Sequence, residues 1–250
     1  MAASDRRRQL TDRGQAILLQ AYEDLVTPEF VLQRHFPDQT IEAAKSEIRR
    51  LCKASLLYSL PLAGRQRYYR LTRHGARAIQ VHARHTRPLK RQGLVNRFAV
   101  SWFFNARELN QCYRFDPLDW VDEFPAFANR RYWRRPFYIR ETPQKDQTRF
   151  GVVIVDHGAS RRRLTSKITD LLAELIQVGW LASKESQRRL TLTMLSFNSD
   201  RAASLAHILQ RHLKTQLRSR VAQGMIVIES HCVPGLDALA INRLQHRTEK

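Results

Sequence analysis

Apolar positions recur along this chain with two different periods, and each change of period marks a new element. Ile17, Leu18, Ala21 and Leu25 fall at helical spacing, which predicts a first helix from Thr11 onward. Thr27-Pro28 opens a second, since threonine caps helices and proline suits the first helical position; Phe30, Val31, Leu32 and Phe36 continue its apolar side. Pro37-Asp38-Gln39 reads as a turn and Thr40 as the next cap. Behind it, Ile41, Ala44, Ile48, Leu51 and Cys52 form one stripe on a third helix. Residues 56–62 then alternate as a strand, Ala63-Gly64-Arg65-Gln66 turns, and Arg67-Tyr68-Tyr69-Arg70-Leu71 returns. Thr72 caps a fourth helix that offers Ala76, Ile79 and Val81 for packing or a dimer seam.

The stretch from His85 to Gly93 is polar, basic and broken by Pro88, so the boundary is expected there: a first domain over 1–87, a linker over 88–93 and a second domain over 94–250. The second part opens with Val95, Phe98, Ala99, Trp102, Phe103, Ala106 and Leu109 on one helical face, a stripe that suits either a domain core or a homodimer seam. Residues 113–127 read as irregular. Strands are predicted over 137–141, 150–156, 190–196 and 225–229. Helices are predicted over 160–178 and 199–217, the first stopped by Gly179. The expected class is α+β: a helical N-terminal domain with a hairpin, then an α/β domain around a central mixed sheet.

Composition narrows the function. At 43% hydrophobic and 26% charged the chain is too apolar for wholesale disorder, so a packed core is expected. No run of eighteen apolar residues occurs and the basic start, residues 1–10, has no apolar segment behind it. Neither export nor membrane insertion is indicated, and a cytoplasmic, nucleoid-associated location is expected. Cys52, Cys112 and Cys232 are too scattered for a disulfide framework or a zinc site. The net charge is +20, from 43 Lys and Arg against 23 Asp and Glu, and residues 1–92 carry 18 of those cations against 8 of those acids. A field of this sign draws polyanions, and nucleic acid leads over acidic lipid or an acidic protein. The abundance of arginine favours phosphate and base-edge contacts, although a GC-rich genome enriches it too.

Opposite the apolar stripe of the third helix lie Lys45, Ser46, Arg49, Arg50 and Lys53, with Thr40 at its start. A helix with that face fits a major groove, and Arg65, Gln66 and Arg67 at the hairpin tip can lie along sugar-phosphate backbone. An ordinary core helix with a solvated basic face would look the same. The order of elements, above all LCKASLLYSLPLAGRQRYYRLTRHG over 51–75, resembles winged helix-turn-helix DNA-binding domains. Further on, Arg130 and Arg131 flank Tyr132 and Trp133, a mixture that can grip a nucleic-acid strand by charge and stacking or simply anchor a loop.

Leu10-Thr11, the wing with Tyr69-Arg70-Leu71-Thr72, the run Val153-Ile154-Val155-Asp156-His157-Gly158, and then Leu164 and Lys167-Ile168 make the chain similar to the replication-relaxation family. That resemblance implies a plasmid or mobile-element setting, double-stranded DNA and replication or transfer proteins as partners, and a degenerate restriction-endonuclease-like second domain. A nuclease of that kind needs strand-end carboxylates for Mg²⁺ and a lysine; Glu141, Asp156 and Lys167 are the nearest candidates. No Pro-Asp precedes the first strand and no acidic-x-Lys triplet follows, which weakens catalysis. No phosphate-binding Gly-rich motif occurs, and His82 and His85 lack a third ligand nearby. The expected role is therefore DNA binding without a cofactor, with a Mg²⁺-dependent nuclease or a protein-interaction scaffold as the alternatives.

Overall fold

The computed structural model describes residues 10–82, 86–105, 112–115, 136–140, 149–158, 160–177, 189–216 and 226–235. The chain divides into two compact units, Met1–Glu108 and Leu109–Lys250, and the class is α+β.

In the first unit, α1 (Asp12–Glu23), α2 (Pro28–His35) and α3 (Ile41–Lys53) precede a hairpin of β1 (Leu57–Pro61) and β2 (Arg67–Leu71), followed by α4 (Arg73–Ala78) and α5 (Arg91–Asn105). The helix starts lie where the threonines put them. The side chains of Thr11, Thr27 and Thr72 accept the backbone N–H groups of Gly14, Phe30 and Gly75 at 3.0, 3.3 and 2.9 Å. The apolar stripes meet in one core of Ile17, Leu18, Val31, Ile48, Leu51, Leu57 and Leu71, each at most 2% exposed. Burying a leucine or isoleucine in this way is worth about 1.5–3 kcal/mol apiece. The hairpin pairs antiparallel from Leu57 opposite Leu71 to Pro61 opposite Arg67. Val26, between α1 and α2, adds an isolated antiparallel bridge to Tyr69, whose N–H donates to the Val26 carbonyl at 2.9 Å.

The sequence ends the first domain before residue 88; the structure carries it through α5. The Leu25 N–H donates to Ser101 Oγ at 2.8 Å, both residues being wholly buried, and the rings of Phe30 and Phe98 lie 5.6 Å apart. Arg97 Nη1 donates to the carbonyls of Tyr22 and Glu23 at 3.3 and 3.1 Å. Val95, Phe98, Ala99 and Phe103 of the apolar stripe are thus buried within the chain, while Ala106 and Leu109 lie outside the described residues. Pro88 lies between α4 and α5, inside the first unit.

The second unit is a five-stranded mixed sheet in the order β3 (Cys112–Phe115), β4 (Phe137–Arg140), β5 (Arg149–Val155), β6 (Arg189–Ser196), β7 (Ile226–Cys232). Its first two pairings are antiparallel. The last two are parallel, with α6 (Arg161–Gln177) and α7 (Ser199–Gln216) as the crossovers. The strand β3 falls in a stretch the sequence reads as irregular. Leu164, Ile168, Leu171 and Leu175 of α6 and Leu205, Leu209 and Leu213 of α7 join Val152, Leu192 and Met194 in one core, so both helices cover the same sheet face. The other face carries Tyr138, Thr191, Thr193, Arg140 and Glu229. There Gly151 lies beneath the Tyr138 ring, and a Cβ at that position would stand 2.0 Å from a ring carbon. No helix among the described residues is long and apolar enough to cross a membrane.

Candidate nucleic-acid interface

The outward side of α3 starts at Thr40. This N-cap side chain makes no hydrogen bond to the helix, unlike those of Thr11, Thr27 and Thr72, so the first α3 N–H groups are not capped from that side chain. Thr40, Ser46, Arg49 and Lys53 are exposed and Lys45 is intermediate. The helix also answers part of its own charge. Lys45 Nζ lies 2.8 Å and Arg49 Nη2 3.9 Å from the Glu42 carboxylate, and the hydrogen bond from Lys45 lowers the Glu42 pKa from its ordinary value.

Arg50 has a different job from the one the sequence assigns it. Its Nε and Nη2 donate to the two oxygens of Glu47 at 2.9 and 2.6 Å, and Nη2 also reaches Thr11 Oγ1 at 3.1 Å. A Cβ at Gly14 would stand 2.8 Å from that same nitrogen. Hydrogen bonding to Glu47 raises the Arg50 pKa, and the guanidinium ties α3 to the start of α1.

At the hairpin tip Arg65, Gln66 and Arg67 are all exposed. Arg67 Nε donates to Ser59 Oγ across the hairpin, whereas Arg65 has no hydrogen-bond or ion-pair partner among the described residues. The start of α4 is held against the turn after α3. The Thr72 N–H donates to the Leu56 carbonyl at 3.0 Å, and a Cβ at Gly75 would lie 2.1 Å from the Leu56 oxygen, so only glycine fits. This seam sets Arg73, His74 and Arg77, exposed and unpaired among the described residues, beside the chain that leaves Lys53. Sequence reasoning treats α4 as a packing helix and misses these three. The signal that finds them is an absence of acids: the sixty residues from Ile48 to Arg107 hold 14 Lys and Arg and no Asp or Glu.

In the second unit Asp156 directly follows β5 and is 1% exposed. Its carboxylate accepts from Arg201 Nε, from Arg201 Nη2 at 3.0 Å, from the Gly158 N–H at 2.9 Å and from Ser196 Oγ at 3.3 Å. Those donors occupy the lone pairs a metal would need. Lys167 is exposed on α6, and no hydrogen bond or ion pair joins it to Asp156 among the described residues. Glu141, Arg130 and Arg131 lie outside the described residues. No cluster of three or more metal-ligating side chains occurs among the described residues.

The sheet face opposite α6 and α7 carries the other polar cluster. Arg140 forks onto Glu229 at 2.7 and 2.9 Å, its Nε donates to Cys112 Sγ at 3.3 Å, and Tyr138 Oη pairs with Thr193 Oγ1 at 2.6 Å. Burial works to raise the Glu229 pKa, but His231, 3.9 Å away, and the hydrogen-bonded fork of Arg140 outweigh it and hold the carboxyl at about 2. Burial pushes the Tyr138 hydroxyl well above its ordinary value despite the Thr193 hydrogen bond. Arg140, Glu229 and Cys112, and separately Tyr138 and Thr193, bond one another across the sheet, the geometry of a structural network.

Compared with known protein families, with curated proteins and with solved structures, the chain matches no family model, no curated protein and no solved structure.

Proposed function

We propose that the first unit is a winged-helix module that binds double-stranded DNA, with α3 directed at the major groove and the hairpin tip and α4 at flanking phosphates. The observation that carries this reading is the acid-free stretch from Ile48 to Arg107, whose hairpin and α4 leave Arg65, Arg73 and Arg77 exposed and unpaired among the described residues. Supporting it are the order of three helices and a hairpin, the Val26 bridge as a rudimentary third strand, and the uncapped start of α3. The resemblance to the replication-relaxation family gives the setting: replication, transfer or transcriptional control of a plasmid or mobile element, in the cytoplasm on the nucleoid. The nuclease reading rests on Asp156, whose oxygens Arg201, Ser196 and Gly158 already engage, and it is not proposed.

The test is fluorescence anisotropy with a labelled duplex across a salt series. Wild type is expected to bind at about 50 mM salt with a steep negative slope of log affinity on log salt. Arg65→Ala, Arg73→Ala and Arg77→Ala should each flatten that slope by about one unit, the signature of one lost phosphate contact. A protein that ignores duplexes in dilute buffer, or one whose slope survives all three changes, refutes the assignment.

A further inference from the structure

The second unit carries a basic surface that the winged-helix reading does not use. α6 begins with Arg161, Arg162 and Arg163, all exposed, and Lys167 follows one turn on before the first acid, Asp170. None of these four cations has a hydrogen-bond or ion-pair partner among the described residues. Three arginines in succession and a lysine one turn on concentrate positive charge at this end of α6, and such a concentration draws polyanions. The helix start is itself closed by Ser160, whose Oγ accepts the Arg163 N–H at 3.4 Å, so the positive charge here belongs to side chains.

Beside these arginines runs a groove of about 480 Å³ between α6 and α7. Arg161 and Arg162 stand at one end, the hydroxyl residues Thr165, Ser166 and Thr169 follow along α6, and His212 of α7 lines the opposite wall. Thr165 and Thr169 turn their hydroxyl hydrogens back onto the carbonyls of Arg161 and Thr165 at 2.9 and 3.0 Å, while the exposed Ser166 is uncommitted. The groove's carboxylate, Asp170, comes nine residues after Arg161, about 13 Å along the helix axis, so one end is cationic and free of acid.

We propose that this α6–α7 surface is a second contact for the phosphodiester backbone of nucleic acid, with Arg161, Arg162 and Arg163 engaging phosphate and Ser166 donating from the groove. The inference rests on reading the chain as a nucleic-acid binder, and it adds a contact surface in the second unit. Two observations favour a phosphodiester over a lipid surface. The apolar side of α6, Leu164, Ile168, Leu171, Leu172 and Leu175, is spent entirely on the core, which leaves nothing to insert into a bilayer. Guanidinium forks beside a hydroxyl are the donor set that suits phosphate oxygens.

The test uses the full chain, a labelled duplex of mixed sequence and a titration between about 50 and 200 mM salt. The triple change Arg161→Ser, Arg162→Ser, Arg163→Ser is expected to flatten the salt slope by about two to three units, with the melting temperature unmoved because the side chains are exposed. Ser166→Glu leaves the arginines in place, sets a negative charge in the groove, and should weaken binding several-fold at low salt. A triple variant with the wild-type slope, or a Ser166→Glu protein with wild-type affinity, overturns the proposal. So does a wild-type chain that binds anionic vesicles but no duplex. Should the α6 changes flatten the slope while Arg65→Ala, Arg73→Ala and Arg77→Ala do not, this surface stands and the winged-helix reading falls.

Discussion

At the residue scale, Asp156 and Arg201 show how an acidic residue at a strand end acquires a structural role. The carboxylate is fully buried and Arg201 supplies two of its donors, so removing the arginine leaves a buried charge with, among the described residues, only Ser196 Oγ and the Gly158 N–H for support. Arg201→Ala is therefore expected to cost about 3 kcal/mol in urea denaturation, as stranded buried charges generally do. His35 supplies a pH-dependent counterpart. Burial, with help from the charges of Arg34 and Arg13, lowers its pKa to about 4, and its Nε2 donates to Gln20 Oε1 at 2.9 Å. The unfolded chain takes up this proton near pH 6.5 and the folded chain does not until about pH 4. The associated stability is thus complete above the unfolded value and is lost as pH falls from about 6.5 to about 4. Thermal melts should show a lower melting temperature at pH 5 than at pH 7, and His35→Gln should flatten that dependence; equal pH slopes in the two proteins would refute it. Arg50 was readable in part, since Glu47 stands three residues before it at ion-pairing spacing on a helix. Its reach to Thr11, 39 residues away, was not.

Elements whose causes are local could be read from the chain, and those whose causes are distant could not. The first four helices announce themselves through a threonine followed by a periodic stripe, and Gly64 marks the hairpin with a positive φ of 54°. The strand β3 is only four residues, Cys-Tyr-Arg-Phe, too short for an alternation to stand out, and it pairs antiparallel with β4. The alternation Leu190-Thr191-Leu192-Thr193-Met194 suggests a strand with one wet face, yet both threonines are completely buried. What places them inside is the Tyr138 ring folded over Gly151 and bonded to Thr193, a contact across 55 residues. Likewise the Arg140–Glu229 fork joins residues 89 apart, and no periodicity encodes a partner at that separation. The candidate interface divides the same way. The α3 and wing cations follow from spacing, whereas Arg73, His74 and Arg77 enter only when Gly75 brings α4 against Leu56.

On the scale of the whole molecule, the decisive difference from expectation is where the first unit ends. Pro88 and the basic residues around it have the composition of a linker, but composition cannot reveal that α5 returns to the chain between α1 and α2. Its Ser101 hydroxyl is the partner of a buried Leu25 N–H, and an unsatisfied buried N–H costs about 1–3 kcal/mol. Its Phe98 covers Phe30, and exposing a phenylalanine forfeits about 1.5–3 kcal/mol more. Against a domain stability of about 5–15 kcal/mol those losses are large. A fragment ending at residue 108 is therefore expected to unfold in one cooperative urea transition, while a fragment ending at residue 90 should be less stable by about 3 kcal/mol or more. The shorter fragment should also bind duplex DNA more weakly wherever its unfolded fraction becomes appreciable, although it keeps α3, the hairpin and α4 intact. Two fragments with superimposable urea transitions would mean that α5 merely rests on the first unit, and would return the boundary to the linker around Pro88.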